Sequence, residues 1–155
     1  MVAESAGILM FKRREGGLLV LLAHPGGLFW RKKDIGAWSI PKGERNADEE
    51  LEAVARREFS EELGVAPLGP LRLLGRIRQR GGKEVEAFAL EGDFDVDQLR
   101  SNLFQIEWPP RSGRIQSFPE IDRAEWFALP LARHKILAGQ LPLLDRLETL
   151  CATGR

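Results

Sequence analysis

Short apolar runs separated by turn residues make up the first third of the chain. Residues 5–12 (SAGILMFK) and 18–24 (LLVLLAH) are nearly continuous in apolar side chains, and a charged, glycine-containing turn lies between them. Two such runs predict a hairpin or neighbouring strands, and runs this apolar are typical of central strands buried on both faces. A short third strand is predicted at residues 38–40, after a loop with a basic cluster at residues 31–33.

The pattern changes to alternation after residue 70. Residues 71–79 and 84–91 alternate apolar and polar positions, which predicts a hairpin that turns at residues 80–83. Further strands are predicted at residues 113–118 and 123–129, and helices at 131–137 and 141–150. Residues 92–112 are irregular and rich in aromatic side chains, as functional loops often are. This order of elements predicts a mixed sheet with helices on both sides, an α/β/α sandwich.

One long helix is predicted at residues 47–63, where no proline or glycine interrupts the chain. Asn46 is a candidate N-cap, and Glu49 lies three residues later, as a capping box requires. Gly64 marks the C-terminal end, since glycine readily adopts the left-handed conformation there.

The far end of this helix carries an unfavourable group of charges. Glu58, Glu61 and Glu62 share one face and lie in the last turns, where carboxylates oppose the helix dipole and repel one another. The apolar positions of the helix fall on the same side, so the carboxylates are expected to face a cleft. Oxygen ligands gathered in this way suggest a hard cation, Mg²⁺ or Mn²⁺. Periodicity alone leaves a solvated acidic helix equally open.

The full spacing of residues 43–65 resembles the Nudix box, G-x5-E-x7-R-E-U-x-E-E-x-G-U with U apolar, at every specified position. The resemblance is sharpest over residues 38–65 and implies the Nudix fold, an α/β/α sandwich with the box beside the sheet. It also implies a cation held by Glu58, Glu61, Glu62 and the backbone carbonyl of Lys42. Mg²⁺ is expected, with Mn²⁺ as the alternative.

The resemblance also implies roles for individual residues. Glu61 and Glu62 are the firmest metal ligands, while Glu58 is either a third ligand or the general base. Glu120 is the other candidate base, because it lies five residues before the pair at residues 125–126, where some Nudix chains keep an extra carboxylate. Arg57 is expected to pair with residue 49 and to orient the glutamates. Residue 107 is the rival of Glu120.

The implied reaction is hydrolysis of a nucleoside diphosphate linked to another group, X. The approach to the box, AWSIPKGE, resembles that of hydrolases of dinucleoside polyphosphates, and the compact size equally suits a nucleoside triphosphate pyrophosphohydrolase. The Lys42 and Arg78 side chains are candidate phosphate contacts, and Trp108 or Phe104 a candidate stacking partner for a nucleobase. Solvated basic residues and core-bound aromatics are the simpler interpretations. The alternative function is a catalytically silent sensor that binds nucleotides.

Composition limits the other possibilities. The chain has 155 residues, which suits a single domain over 1–155, and equal numbers of basic and acidic residues, 23 of each. Zero net charge argues against a nucleic-acid or membrane partner, and nothing indicates a homo-oligomer. Cys151 is the single cysteine, and no signal or membrane-spanning segment is evident, so a cytoplasmic location is expected. His24 and His134 are not assigned to a metal.

Overall fold

The computed structural model describes residues 4–79 and 81–153. The eight strands are β1 Glu4–Arg14, β2 Gly17–Pro25, β3 Lys42–Glu44, β4 Arg72–Arg78, β5 Glu84–Glu91, β6 Leu103–Glu107, β7 Ile115–Pro119 and β8 Ile121–Ala128. The helices are α1 Leu51–Leu63, α2 Leu129–Lys135 and α3 Leu141–Thr153, with 3₁₀ turns at Val96–Gln98 and Ala138–Gln140. In this part of the chain no helix has the length and apolarity needed to cross a membrane.

The main sheet has β1 near its centre. Its strand order is β4-β5-β1-β2-β8, and β3 pairs with the N-terminal half of β1 while β2 pairs with the C-terminal half. The β1–β5 pair is parallel and the other pairs are antiparallel, so the sheet is mixed. The central position of β1 and β2 and their burial confirm the interpretation of the two apolar runs.

The sheet is covered on both faces. Alternate side chains of a strand point to opposite faces, so Ile8 packs in the core beneath α1 and Leu9 in the core beneath α3. Phe59 of α1 and Leu147 of α3 are fully buried in these two cores. Helices on both sides of a mixed sheet confirm the predicted α/β/α sandwich.

Helix α1 begins four residues later than predicted. It starts at Leu51, and Asn46 does not cap it; the N-cap position is Glu50, which makes no side-chain capping hydrogen bond. Asp48 has a left-handed backbone (φ 67°), and the Asn46 N–H donates to the Glu49 carboxylate at 2.8 Å. Residues 45–50 therefore form a loop ahead of the helix. The predicted C-terminal stop is confirmed, since Gly64 has φ 85°.

Two other predictions were wrong in detail. Residues 38–40 form only isolated bridges, and the strand lies at Lys42–Glu44. It fits against β1 because Gly7 has no side chain: a Cβ there would lie 2.6 Å from the Pro41 carbonyl oxygen. The irregular segment 92–112 contains β6, which pairs with β7 in a separate two-stranded sheet. Strand β7 ends at Pro119 and β8 begins at Ile121, so Glu120 alone separates them.

Candidate active site

The box helix α1 sends its carboxylates in different directions. Glu62 is 8% exposed and the Glu58 side chain 13% exposed, whereas the Glu61 side chain is 40% exposed. Glu58 and Glu62 are one helical turn apart and face the protein body, because the apolar residues of α1 pack on that side. Glu61 lies at the rim. The structure therefore places Glu58 and Glu62 on the buried side of α1, a region that we call the carboxylate cleft, and leaves Glu61 partly exposed.

Strand β3 presses its backbone against these carboxylates. A Cβ on Gly43 would lie 2.0 Å from the Glu58 carboxyl carbon, so glycine is required for this close approach. The backbone N–H of Lys42 donates a hydrogen bond to the Glu62 carboxylate. The Pro41 carbonyl accepts from Ile8 at 3.1 Å, which fixes the entry to β3. The turn before the box thus forms one wall of the carboxylate cleft.

The cleft has an excess of negative charge. Burial, and then repulsion from Glu58 and Glu120, raise the pKa of Glu62 to about 8, although Lys42 opposes the shift. Burial also raises the pKa of Glu58, with repulsion from Glu61 and Glu120 adding to it and Arg57 opposing it. The pKa of Lys42 is lowered by burial, which the nearby carboxylates partly offset. A further positive charge in this cleft would stabilise the ionised carboxylates.

Arg57 connects the loop before α1 to the carboxylates. Its guanidinium donates to both oxygens of Glu49 at 2.9 Å, a bidentate pair. It also donates to Glu58 at 2.7 Å and to Glu61 at 3.2 Å, and to the backbone carbonyl of Glu44 at 3.1 Å. These contacts raise the pKa of Arg57, with Glu49 the largest cause. Arg57 therefore holds Glu58 and Glu61 as well as its expected partner.

Glu120 is placed near the carboxylates by main-chain contacts. Its N–H donates to the Asn102 carbonyl at 2.8 Å, and the Asn102 N–H donates to the Glu61 carbonyl at 3.1 Å. The Gly26 N–H donates to the Glu120 carbonyl at 2.8 Å. Glu120 is exposed and repels both Glu58 and Glu62. No sequence signal marks Asn102 or Gly26, since both act through backbone atoms.

The rival carboxylate, Glu107, is used elsewhere. It accepts hydrogen bonds from the backbone N–H groups of Arg111 and Gly113, at 3.2 Å and 2.9 Å, and so closes the β6–β7 turn. Both carboxylate oxygens of Glu107 are therefore bonded within the hairpin.

The predicted substrate contacts fall in different places. Arg78 is exposed and donates to Glu84 at 3.2 Å on the edge strand β4. It is therefore a solvated basic residue, the simpler of the two interpretations of the sequence. Arg80, which continues that alternation, lies outside the described residues. Trp108 is 39% exposed and lines an apolar pocket with Phe104. Of these side chains, only Lys42 faces the carboxylates.

The donor atoms fit a hard cation. Among residues 4–79 and 81–153 no three acidic, histidine or cysteine side chains are close enough to form a metal-binding cluster, and Arg57 holds oxygens of Glu58 and Glu61. The available donors are nevertheless carboxylate and carbonyl oxygens around Glu62, whose pKa is raised by burial first and then by repulsion from Glu58 and Glu120. This chemistry suits Mg²⁺ or Mn²⁺.

Sequence reasoning missed a buried histidine contact beside this site. His24 is fully buried, with Nδ1 2.7 Å from an Asp122 oxygen and Nε2 2.6 Å from the Lys33 carbonyl. Both ring nitrogens are therefore engaged, and His24 ties the loop after β2 to strand β8. A lone histidine in an apolar run gives no hint of either partner.

Comparisons with known proteins agree with the fold. The family model described as NUDIX domain matches residues 1–147. An Ap4A hydrolase from C. elegans, solved as a binary complex, is 20% identical with a TM-score of 0.64, covering 96% of this chain and 98% of that one. The NUDIX domain of Shewanella oneidensis NrtR, solved with ADP ribose, is 18% identical with a TM-score of 0.65, covering 97% and 89%. A mutT/nudix family protein from Listeria innocua is 17% identical with a TM-score of 0.63, covering 97% and 94%.

Proposed function

We propose that this chain, which belongs to the NUDIX domain family, is a pyrophosphohydrolase that cleaves a diphosphate linkage in a nucleoside diphosphate joined to a group X. Within this class we favour dinucleoside polyphosphates and nucleoside triphosphates as substrates. The resemblance of residues 37–44 to hydrolases of dinucleoside polyphosphates supports the first, and the compact size supports the second.

The observation that carries this proposal is that Glu58 approaches the backbone of Gly43 while Glu62 is hydrogen-bonded to the backbone of Lys42, the residue before it. Glu62 is buried beside two other carboxylates, and both its burial and their repulsion raise its pKa, so its ionised form is unfavourable in this cleft. A polyphosphate cannot enter such a cleft without a cation, because its own charge is negative. We therefore expect activity to depend on Mg²⁺ or Mn²⁺.

Glu58, Glu61, Glu62 and the Lys42 carbonyl would hold this cation. When bound, it would neutralise phosphate charge and acidify a water molecule. Arg57 positions Glu58 and Glu61 through its hydrogen bonds and stays clear of the reacting atoms. Loss of this arginine should therefore affect the chemistry indirectly.

The reaction itself requires a base. The oxygen of a water molecule attacks a phosphorus, the bridging P–O bond breaks, and the water proton passes to a carboxylate before it reaches solvent or the leaving phosphate. Glu58 and Glu120 are the two candidates. Glu120 is exposed and held by main-chain contacts at the cleft, whereas Glu58 is engaged by Arg57. The ammonium of Lys42 lies beside the same carboxylates and is our candidate phosphate contact.

Product analysis over a nucleotide panel tests this function. The panel contains nucleoside triphosphates, oxidised triphosphates, dinucleoside polyphosphates, ADP-ribose and dinucleotide cofactors, each with Mg²⁺, Mn²⁺ or a chelator. We expect cleavage of one class, lost on chelation and reduced on the order of a hundredfold or more in Glu62→Gln. Glu61→Gln should also reduce turnover.

The matched control is Glu52→Gln. Glu52 lies on the solvent face of the same helix and makes only a 3.9 Å contact with Arg56, so its loss should leave turnover unchanged. Normal turnover in the double variant Glu61→Gln/Glu62→Gln would refute the assigned site. Tight binding of one panel member with no cleavage of any would replace hydrolysis with the nucleotide-binding function.

The identity of the base is tested separately. Glu58→Gln and Glu120→Gln are compared by single-turnover rate and by Mg²⁺ affinity. The base variant is expected to lose the rate with metal affinity retained, because a base accepts a proton and does not hold the ion. A variant that loses metal affinity as well is a ligand.

A further inference from the structure

A pocket rich in aromatic rings lies beside the carboxylate cleft. Its volume is about 260 Å³, and it separates the segment after β2, residues 26–30, from the β6–β7 hairpin. The side chains that line it are Phe29, Trp30, Phe104, Ile106, Trp108 and Phe118. The catalytic geometry described above uses none of these rings.

The hairpin presents one face to this pocket. Phe104 is directly opposite Phe118 across the β6–β7 pair, with ring centroids 5.9 Å apart, and Ile106 is two residues along on the same face. Opposite the hairpin, a Cβ on Gly27 would lie 3.0 Å from the Phe104 ring, so this ring lies almost on the backbone. The pocket therefore has two close walls of flat apolar surface.

The rings are only partly covered by the protein itself. Phe29 is 71% exposed and Trp108 is 39% exposed, although both line the pocket. A two-stranded hairpin is marginally stable alone, so it gains from an apolar partner on this face. A flat aromatic ring between the two walls would contact both of them.

The pocket is connected to Glu120 through strand β7 and through one main-chain hydrogen bond. Phe118 ends the apolar part of β7, and Glu120 follows it two residues later. The Gly26 N–H donates to the Glu120 carbonyl at 2.8 Å, which fixes the rim of the pocket to the residue that faces Glu62. Lys33 Nζ lies 4.8 Å over the Phe29 ring, placing a positive charge at the rim for a phosphate.

The pocket offers few groups that can read the edge of a base. Its lining side chains have no amide, carboxylate or hydroxyl, and the two indole N–H groups are their sole polar atoms. The Gly27 and Trp30 carbonyls already accept hydrogen bonds from Arg31 and Lys33 within the turn. The pocket would therefore select its occupant by the area of ring that stacks and not by hydrogen bonds.

We propose that this pocket binds the nucleobase of the substrate by stacking, that it accepts adenine and guanine alike, and that it favours purines over pyrimidines. The inference rests on the proposed function, since it takes the substrate to be a nucleotide. Stacking suits any base because each has a π-face, and a larger ring system covers more of both walls.

Binding of nucleoside monophosphates, without hydrolysis, tests the pocket directly. AMP, GMP, CMP and UMP are titrated in the presence of a chelator, and tryptophan fluorescence is followed, since Trp30 and Trp108 line the pocket. We expect AMP and GMP to bind within about threefold of each other and about tenfold more tightly than CMP and UMP. Phe104→Leu should weaken AMP binding by about tenfold. It should raise KM with kcat unchanged for the panel member that is cleaved.

The control is Leu103→Ala, on the opposite face of the hairpin and 64% exposed, which should change neither constant. The inference is overturned if Phe104→Leu leaves AMP binding and KM unchanged, or if AMP and GMP differ by more than about a hundredfold. If no panel member is hydrolysed but Phe104→Leu still weakens AMP binding, the proposed reaction is refuted and the proposed base pocket is supported.

Discussion

Gly43 and Glu58 lie so close that a single methyl group on the glycine would collide with the carboxylate, 2.0 Å from its carbon. They come from different elements, since Gly43 is in β3 and Glu58 is in α1. The glycine therefore sets the distance between the turn backbone and the carboxylate face.

Gly43→Ala should displace Glu58 and leave the fold intact, because the colliding atoms belong to a side chain that can rotate. We expect kcat/KM to fall by roughly tenfold to a hundredfold, the usual effect of an ångström-scale misplacement. Steady-state kinetics and thermal unfolding by circular dichroism measure the two effects. The control is Gly92→Ala, where a Cβ would be in ordinary contact at 3.5 Å with Met10. Equal loss of activity in both variants would contradict a specific role for Gly43.

Arg57→Lys should reduce turnover more than substrate affinity. Lysine keeps the charge but cannot donate to both oxygens of Glu49 while also holding Glu58 and Glu61. We expect kcat to fall about 10–100-fold, as when the partner of a metal ligand is lost.

The neighbouring change Arg56→Lys is its control. Arg56 donates to the Pro67 and Gly69 carbonyls, away from the carboxylates, so this variant should lose stability without a matching loss of kcat. An equally low kcat in both variants would contradict a specific role for Arg57, because the loss would then follow from lower stability of the helix.

Glu62 should make the metal-free protein less stable as the pH rises. Its folded pKa, about 8, is above its ordinary value of 4.5, so the folded state binds the proton more tightly than the unfolded state. The contribution of Glu62 to the free energy of unfolding is therefore greatest below about pH 4.5. It is lost between about pH 4.5 and 8, at about 1.4 kcal/mol per pH unit. The total is on the order of a few kcal/mol.

Chemical denaturation in a chelator, at several pH values in this window, measures the effect. Glu62→Gln should flatten the dependence, and Glu58, whose pKa is also raised, should supply what remains. Lys42 acts in the opposite sense at higher pH, because its lowered pKa makes stability rise with pH. If the free energy of unfolding of the wild type rises between pH 5 and 8 with the same slope as that of Glu62→Gln, Glu62 does not hold a buried proton.

Gln140→Leu should destabilise the approach to β3. Gln140 is fully buried, accepts from the Ile40 N–H at 3.0 Å, and donates to Ser39 and Gln79 at 2.9 Å and 2.8 Å. Leucine leaves the Ile40 N–H without a partner, at a cost of about 1–3 kcal/mol. Differential scanning calorimetry should show a fall in Tm of about 2–4 °C per kcal/mol for a chain of this size. Gln79→Leu removes one of the three contacts and should cost less.

The carboxylate face could be predicted because it depends on helix periodicity, which local sequence determines. Glu58 and Glu62 are four residues apart, and four residues make about one turn in any helix. The start of the helix could not be predicted from the same kind of signal. Asn46 and Glu49 have the spacing of a capping box, but Arg57 binds the Glu49 carboxylate from eight residues away and Asp48 turns the backbone out of the helix.

Strand β6 was missed for a different physical reason, and the contacts that hold the candidate base Glu120 could not be predicted either. Strand β6 is largely exposed, so its pattern lacks the alternation that marks a half-buried strand. Glu120 is held by Asn102 and Gly26 through main-chain atoms, which every sequence contains. Aromatic residues at 104 and 108 suggested a ligand contact, but sequence alone did not show that residues 26–30 form the opposite wall.

The main-chain bonds of Asn102 connect Glu61 to Glu120 without using its side chain. They allow any side chain at this position except proline, which has no N–H to donate to Glu61. The segment is free to change in composition but fixed in length, because one residue more or fewer would move Glu120 relative to Glu61. The β6–β7 hairpin begins at the next residue, so its rings can be exchanged while the carboxylates keep their arrangement.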